Sequence, residues 1–156
     1  MNRLLIVLGL CVVTALTPSF CVAEDSEKDP LDGLKCFIMP KRDVKGKKVM
    51  DYKGAKLYVC CSSCVKRMTK TPEKYEAKAN HQLVQTGQFK QAACPLSGGA
   101  VGKSSPDLKI GGVLVQFSSE EHKAKVAMLD GDKQIEAVFG AKGFKTGKFA
   151  LIKKTS

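Results

Sequence analysis

The residues with the most chemical potential in this chain are sulfurs. Cys60, Cys61 and Cys64 crowd one short stretch, and Cys36 precedes them. Thiols gathered so closely make the donor set that tetrahedral zinc or soft Cu(I) sites take. Cys94 stands apart, and Cys11 and Cys21 lie in an apolar N-terminal segment expected to be removed. Five cysteines then remain, an odd number. In an exported chain that is no closed disulfide framework. Either a thiol stays free or some cysteines hold a metal, and the clustering favours the metal. Cys61-Ser62-Ser63-Cys64 also reads as C-x-x-C after a strand and at a helix start, the layout of a redox dithiol. The alternating strand and helix pattern of a thioredoxin-like domain is missing, so redox chemistry ranks below metal binding.

The elements that must bring these sulfurs together follow in order. Residues 47–52 (KKVMDY) read as a strand, Lys53-Gly54 as a two-residue turn, and residues 55–60 (AKLYVC) as the returning strand. The hairpin folds Cys36 back toward the cysteine turn. Residues 62–69 are expected to turn into a helix. Thr71-Pro72-Glu73 marks a second helix start, with an N-cap, proline at the first position and an acid in the first turn. Tyr75, Ala79 and Leu83 share one face of that helix, and Gly87 ends it. A helix N-terminus favours thiolate, the metal-binding form. Adjacent Cys60 and Cys61 would point to opposite faces of a strand, so one of them is expected to join Cys36 and Cys64, and spacing does not choose which. Met39 is a potential thioether ligand but more readily a core filler. His81 is more readily a surface histidine than a ligand.

Shifted by the interval from Cys36 to Cys94, the chain maps onto itself. The same offset carries Met50 to Leu108, Tyr52 to Ile110, Gly54 to Gly112 and Cys64 to His122. A further slip of two aligns Thr86-Gly87-Gln88-Phe89 with Thr146-Gly147-Lys148-Phe149. An offset held from an isolated cysteine through a hairpin glycine to a closing turn indicates an internal duplication. The units are expected at 34–91 and 92–156. Each is near the size at which a hydrophobic core alone is marginal. In the second unit Ser118, Ser119 and His122 replace the cysteine cluster. Ser118-Ser119-Glu120-Glu121 reads as a capping box, with glutamate in the third position after serine. Cys94 and His122 are then either a weak two-ligand site or, as favoured here, a structural remnant. The apolar residues Val113, Val115, Phe117, Ile135, Val138 and Phe139 predict that the two units pack into one body with a shared core.

The first unit resembles the YHS and TRASH group of small metal-binding domains. The resemblance rests on Tyr52-Lys53-Gly54, on Leu57-Tyr58-Val59-Cys60-Cys61-Ser62-Ser63-Cys64, and on Thr71-Pro72-Glu73-Lys74-Tyr75. It runs from Cys36 to Tyr75, and the second unit matches only in outline. It implies an α+β fold of two tandem treble-clef-like units, each a β-hairpin followed by helices. It also implies metal-ligand roles for Cys36, Cys60 and Cys64, with Cys61 a candidate fourth ligand, and a part in heavy-metal sensing, trafficking or resistance. Where many relatives open with C-x-x-C, this chain has Cys36-Phe37-Ile38-Met39.

The N-terminus bears on the compartment. Met1-Asn2-Arg3 precedes the apolar run LLIVLGLCVVTAL (4–16), and Cys21-Val22-Ala23 suits cleavage before Glu24. The segment 1–23 is therefore expected to be a signal peptide and 24–33 (EDSEKDPLDG) a flexible leader. The run is too short to span a membrane comfortably, so the mature protein is expected to be soluble and exported, periplasmic or secreted. The net charge is +11, yet 23 of the 26 basic residues are lysine. Nucleic-acid readers lean on arginine, so the charge reads as a solvated surface and no nucleic-acid partner is expected. Ser/His/Asp sets, H-E-x-x-H, phosphate-cradling glycine loops and C-x-x-C-H are all missing, which argues against an enzyme. The expected partner is a zinc or copper ion, for storage, delivery or scavenging, with another envelope protein as a further candidate. An interaction module with a purely structural metal is the alternative.

Overall fold

The computed structural model describes residues 31–44 and 48–153. The expected signal peptide, most of the expected leader and Lys47 lie outside those residues. Among the described residues no helix is long and apolar enough to cross a membrane.

The chain is α+β, and a hairpin followed by helices occurs twice. Strands β1 (Lys48–Tyr52) and β2 (Ala55–Val59) pair antiparallel, with Tyr52 opposite Ala55. Lys53 and Gly54 both take positive φ, 50° and 78°, the two-residue turn whose twist suits a hairpin. Helices α1 (Ser62–Lys70) and α2 (Pro72–Gln85) follow, then the short strand β3 (Phe89–Lys90). The second pass has β4 (Asp107–Ile110) and β5 (Val113–Gln116) around Gly111-Gly112, then α3 (Glu120–Ala127), α4 (Gly131–Phe139), α5 (Ala141–Thr146) and β6 (Ala150–Leu151).

The two passes correspond in detail. Cys36 and Cys94 each sit in a small loop closed by an isolated bridge, Lys35 to Asp43 in one and Ala93 to Ala100 in the other. The last helix of each pass closes in the same way. Gly87 N–H bonds Val84 O and Gln88 N–H bonds Leu83 O; Lys148 N–H bonds Lys145 O and Phe149 N–H bonds Phe144 O. Both are Schellman closures, with Gly87 and Lys148 in the left-handed region. The backbone therefore matches Gly87 to Lys148, one position beyond the expected Gly147. The second pass splits the counterpart of α2 into α4 and α5, and the split takes up the added length. The closing strands then pair with each other, Phe89 opposite Leu151 and Lys90 opposite Ala150.

Two capping details differ from expectation. The Thr71 hydroxyl does not cap α2 but donates back to Arg67 O at 3.2 Å. Helix α3 is capped by Ser119, whose Oγ accepts from His122 N–H. Ser118, just before it, is left to bond elsewhere.

The main hydrophobic core draws on both passes. Leu57, Met68 and Leu83 from the first join Ile110, Val115, Phe117, Val138 and Phe139 from the second. Phe139, Phe149 and Phe144 continue it as an aromatic chain, with successive centroids 5.6 and 4.9 Å apart. The predicted shared core is present. Each hairpin tip also meets a helix of the other pass. Lys53 lies 4.9 Å over the ring of Phe144, while His81 Nε2–H donates to Ile110 O at 3.2 Å. His81 is thus buried and packed edge-on to Phe139 at 5.0 Å, not a surface residue. An aromatic ring with one satisfied N–H suits an apolar interface better than water.

Glutamines finish the hairpin edges. The Gln82 amide accepts from Tyr58 N–H and donates to Tyr58 O, and Gln88 does the same at Lys56. Gln91 does it at Gln116 of β5. Each side chain stands in for a residue of a missing third strand, so the edge amides it bonds are blocked. This also explains how Gln82 can be only 1% exposed without an unpaired polar atom.

Candidate metal centre

The site is built where β2 ends and α1 begins. A second, smaller apolar cluster surrounds it, made by Leu34, Cys36, Val44, Val59 and Cys64. Cys36 enters from its bridged loop, where its N–H bonds Arg42 O at 2.9 Å. Cys60 leaves the strand just after Val59, and Cys64 lies in the first turn of α1. The Gln82 clamp on Tyr58 fixes the strand shortly before Cys60.

The sulfurs of Cys36, Cys60 and Cys64 all lie within 4.8 Å of one another. Cys64 Sγ is 3.9 Å from Cys36 Sγ and 3.7 Å from Cys60 Sγ. Thiolates bound tetrahedrally to zinc at ~2.3 Å stand about 3.8 Å apart. Both of these separations match the spacing that one ion would impose. Cys36 and Cys64 are fully buried, while Cys60 is partly exposed beside a shallow cleft lined by Lys41, Arg42 and Asp43.

Cys61 is placed differently. It is the N-cap residue of α1, the position Ser119 holds in the second pass. Its sulfur lies 3.4 Å from Cys64 Sγ and 3.3 Å from Ser63 Oγ, outside the mutually close set of three. The alternation argument therefore does not apply to this pair: the strand has ended, and the turn into α1 brings both sulfurs near Cys64. Met39 is half-buried against the small cluster, and His81 bonds Ile110 O as described.

The electrostatics of the four thiols are unequal. Burial opposes ionisation of Cys36, but the backbone N–H groups of Cys60, Met39 and Ile38 outweigh it and hold the thiol below its ordinary value. Burial raises Cys60, and burial with the neighbouring Cys61 and Cys60 pushes Cys64 upward. The Ser63 hydroxyl and the Cys64 N–H hold Cys61 down at about 6. Packed thiols resist carrying several negative charges together, and a bound cation removes that resistance.

The second pass keeps the frame with other atoms. Cys94 Sγ is 3.9 Å from His122 Nδ1, the separation of Cys36 and Cys64 Sγ. Ser118 occupies the place of Cys60, with its Oγ 3.0 Å from His122 Nδ1. Ser97 occupies the place of Met39, with its Oγ 3.0 Å from Ser118 Oγ. Sequence reading paired Cys94 with His122 but missed Ser97; the offset that carries Cys36 to Cys94 also carries Met39 to Ser97 and would have found it.

No protein-family model matches the chain, and neither does any curated protein or solved structure.

Proposed function

We propose that this chain is an exported, non-enzymatic protein that binds one zinc or copper ion through Cys36, Cys60 and Cys64 and stores, delivers or scavenges it. The observation that carries the reading is the set of three sulfurs within 4.8 Å of one another, at separations suited to a shared ion. With three thiolates the fourth position is open to Cys61, to Met39 or to an external donor, and an open position suits exchange of the ion. The resemblance to YHS and TRASH domains, which implies treble-clef-like units, points the same way. So does the expected N-terminal signal, which would put the protein in an envelope or outside the cell, with a further envelope protein as donor or acceptor. The test is metal content of the reduced mature chain. Wild type should hold about one ion at this site; Cys36→Ser and Cys60→Ser should lose it, and Cys61→Ser should keep most of it. Full retention by Cys36→Ser refutes the assignment.

A second reading has one observation in its favour, the 3.4 Å between Cys61 and Cys64 Sγ. As a dithiol this pair would form a reversible disulfide, Cys60→Ser would be silent, and Cys36 would be irrelevant. A potential in the oxidoreductase range would support it over metal binding.

A further inference from the structure

The duplicated frame in the second pass is not an empty remnant. Cys94 is fully buried at its base, His122 is half-exposed at its side, and the Ser97 and Ser118 hydroxyls bond each other across its mouth. Four groups with metal-binding or polarising chemistry thus converge in a fold position where the first pass gathers its sulfurs. Cys94 also belongs to the main core, while Ser97 and Ser118 are exposed and not needed for that packing. Ser119 alone caps the helix, and the neighbouring core is supplied by Phe117 and Val126.

The donor spacing is also suitable. With sulfur at ~2.3 Å and imidazole nitrogen at ~2.0 Å from zinc, the two donors stand about 3.5 Å apart at a tetrahedral angle and about 4.3 Å apart on a line. The observed 3.9 Å lies between these limits. Opening the bond between the serine hydroxyls would admit an ion and leave oxygen donors on its outer side. The set also differs in character from that of the first pass, with one sulfur, one nitrogen and hydroxyl oxygens in place of three sulfurs. That mixture shifts preference from soft monovalent ions toward borderline divalent ones.

We propose that Cys94 and His122 form a second metal site, which takes one divalent ion of the zinc class through Cys94 Sγ and His122 Nδ1, with Ser118 Oγ or water completing the coordination. Cys94 binds as thiolate, and any proton it still carries is released to solvent; His122 binds as neutral imidazole with its proton on Nε2. With two strong ligands the site is weaker than the first. The chain then holds two ions of different character on one repeated frame.

The probe is Co2+, followed by Zn2+, titrated into the reduced full-length mature chain with thiolate-to-cobalt absorption as the readout. Wild type should take up two ions per chain, the second at least tenfold more weakly. His122→Ala should lose the second step and keep the first; because His122 lies near the surface, the fold should persist, which retention of the first ion verifies. His122→Cys, which restores the residue type of Cys64, should tighten the second step at least tenfold. Cys60→Ser should impair the first step and leave the second, so failure of the first site is told apart from failure of this one. A titration of wild type that ends at one ion overturns the proposal, as does a second step that survives His122→Ala.

Discussion

The two passes meet closely at Gly111, and the contact gives a measurable energy. A methyl group added there would stand 2.6 Å from His81 Nε2 and 2.8 Å from Cε1, so the ring must move. Gly111 also has φ of +54°, a conformation that costs an L-residue about 1–2 kcal/mol. Displacing His81 puts at risk its bond to Ile110 O, worth about 1 kcal/mol net, and its edge contact with Phe139, about 0.5–1.5 kcal/mol. Gly111→Ala should therefore cost about 3 kcal/mol in urea unfolding of the full chain. With His81→Ala already in place only the backbone cost of about 1–2 kcal/mol remains, so the coupling between the two sites should be about 1.5–2.5 kcal/mol. Gly112→Ala is the control. Its φ is +90°, and the added methyl meets only Gln85 Nε2 at 4.0 Å, so its cost should not depend on residue 81. Equal costs for Gly111→Ala with and without His81 would refute the idea that this contact locks the passes together.

The same interface should respond to pH and to metal. Burial lowers the His81 pKa, so below about pH 6.5 the unfolded chain binds the proton first and stability falls as pH falls. Between pH 7 and 5 the free energy of urea unfolding should drop by up to about 1.4 kcal/mol per pH unit, and His81→Gln should flatten that slope. Because one core spans both passes, zinc added to the reduced apoprotein should raise a single unfolding transition, by about 2.7 kcal/mol when free ion is a hundredfold above Kd; two transitions in calorimetry, only one of them moved by zinc, would show the passes to be independent.

What could be read from the sequence was what local chemistry decides. Two-residue turns ending in Gly54 and Gly112 fix both hairpins, since few residues tolerate the dihedrals such turns need. Pro72 fixes the start of α2 for the same kind of reason. The convergence of Cys36 on the cysteine turn follows once the hairpin is in place. The choice between Cys60 and Cys61 did not follow, because it depends on where the strand stops, and β2 stops at Val59. Ser119 supplies the missing information. Its capping role marks Cys61 as the corresponding cap residue, and Cys60 is left to face Cys36 and Cys64. The repeat thus interprets the site more sharply than the site's own sequence does.

The tertiary use of polar residues was hidden for a different reason. Gln82 and His81 look like a solvated helix face, and only the position of another element makes them interior. Gln82 lies on α2 and clamps Tyr58, while its neighbour His81 reaches the tip of the second hairpin. One helix therefore holds both the strand that presents Cys60 and the turn of the other pass. Lys53, at the tip of the first hairpin, ties the same helix through Glu76 and Asn80, and Asn80 in turn donates to Phe139 O at 2.8 Å. The cluster depends on this frame for its geometry, because its own surroundings are a small apolar pocket fed by one short loop. A unit of this size has little core of its own, and here the second pass supplies the rest. That gives the second pass a structural role even though it carries no three-sulfur cluster.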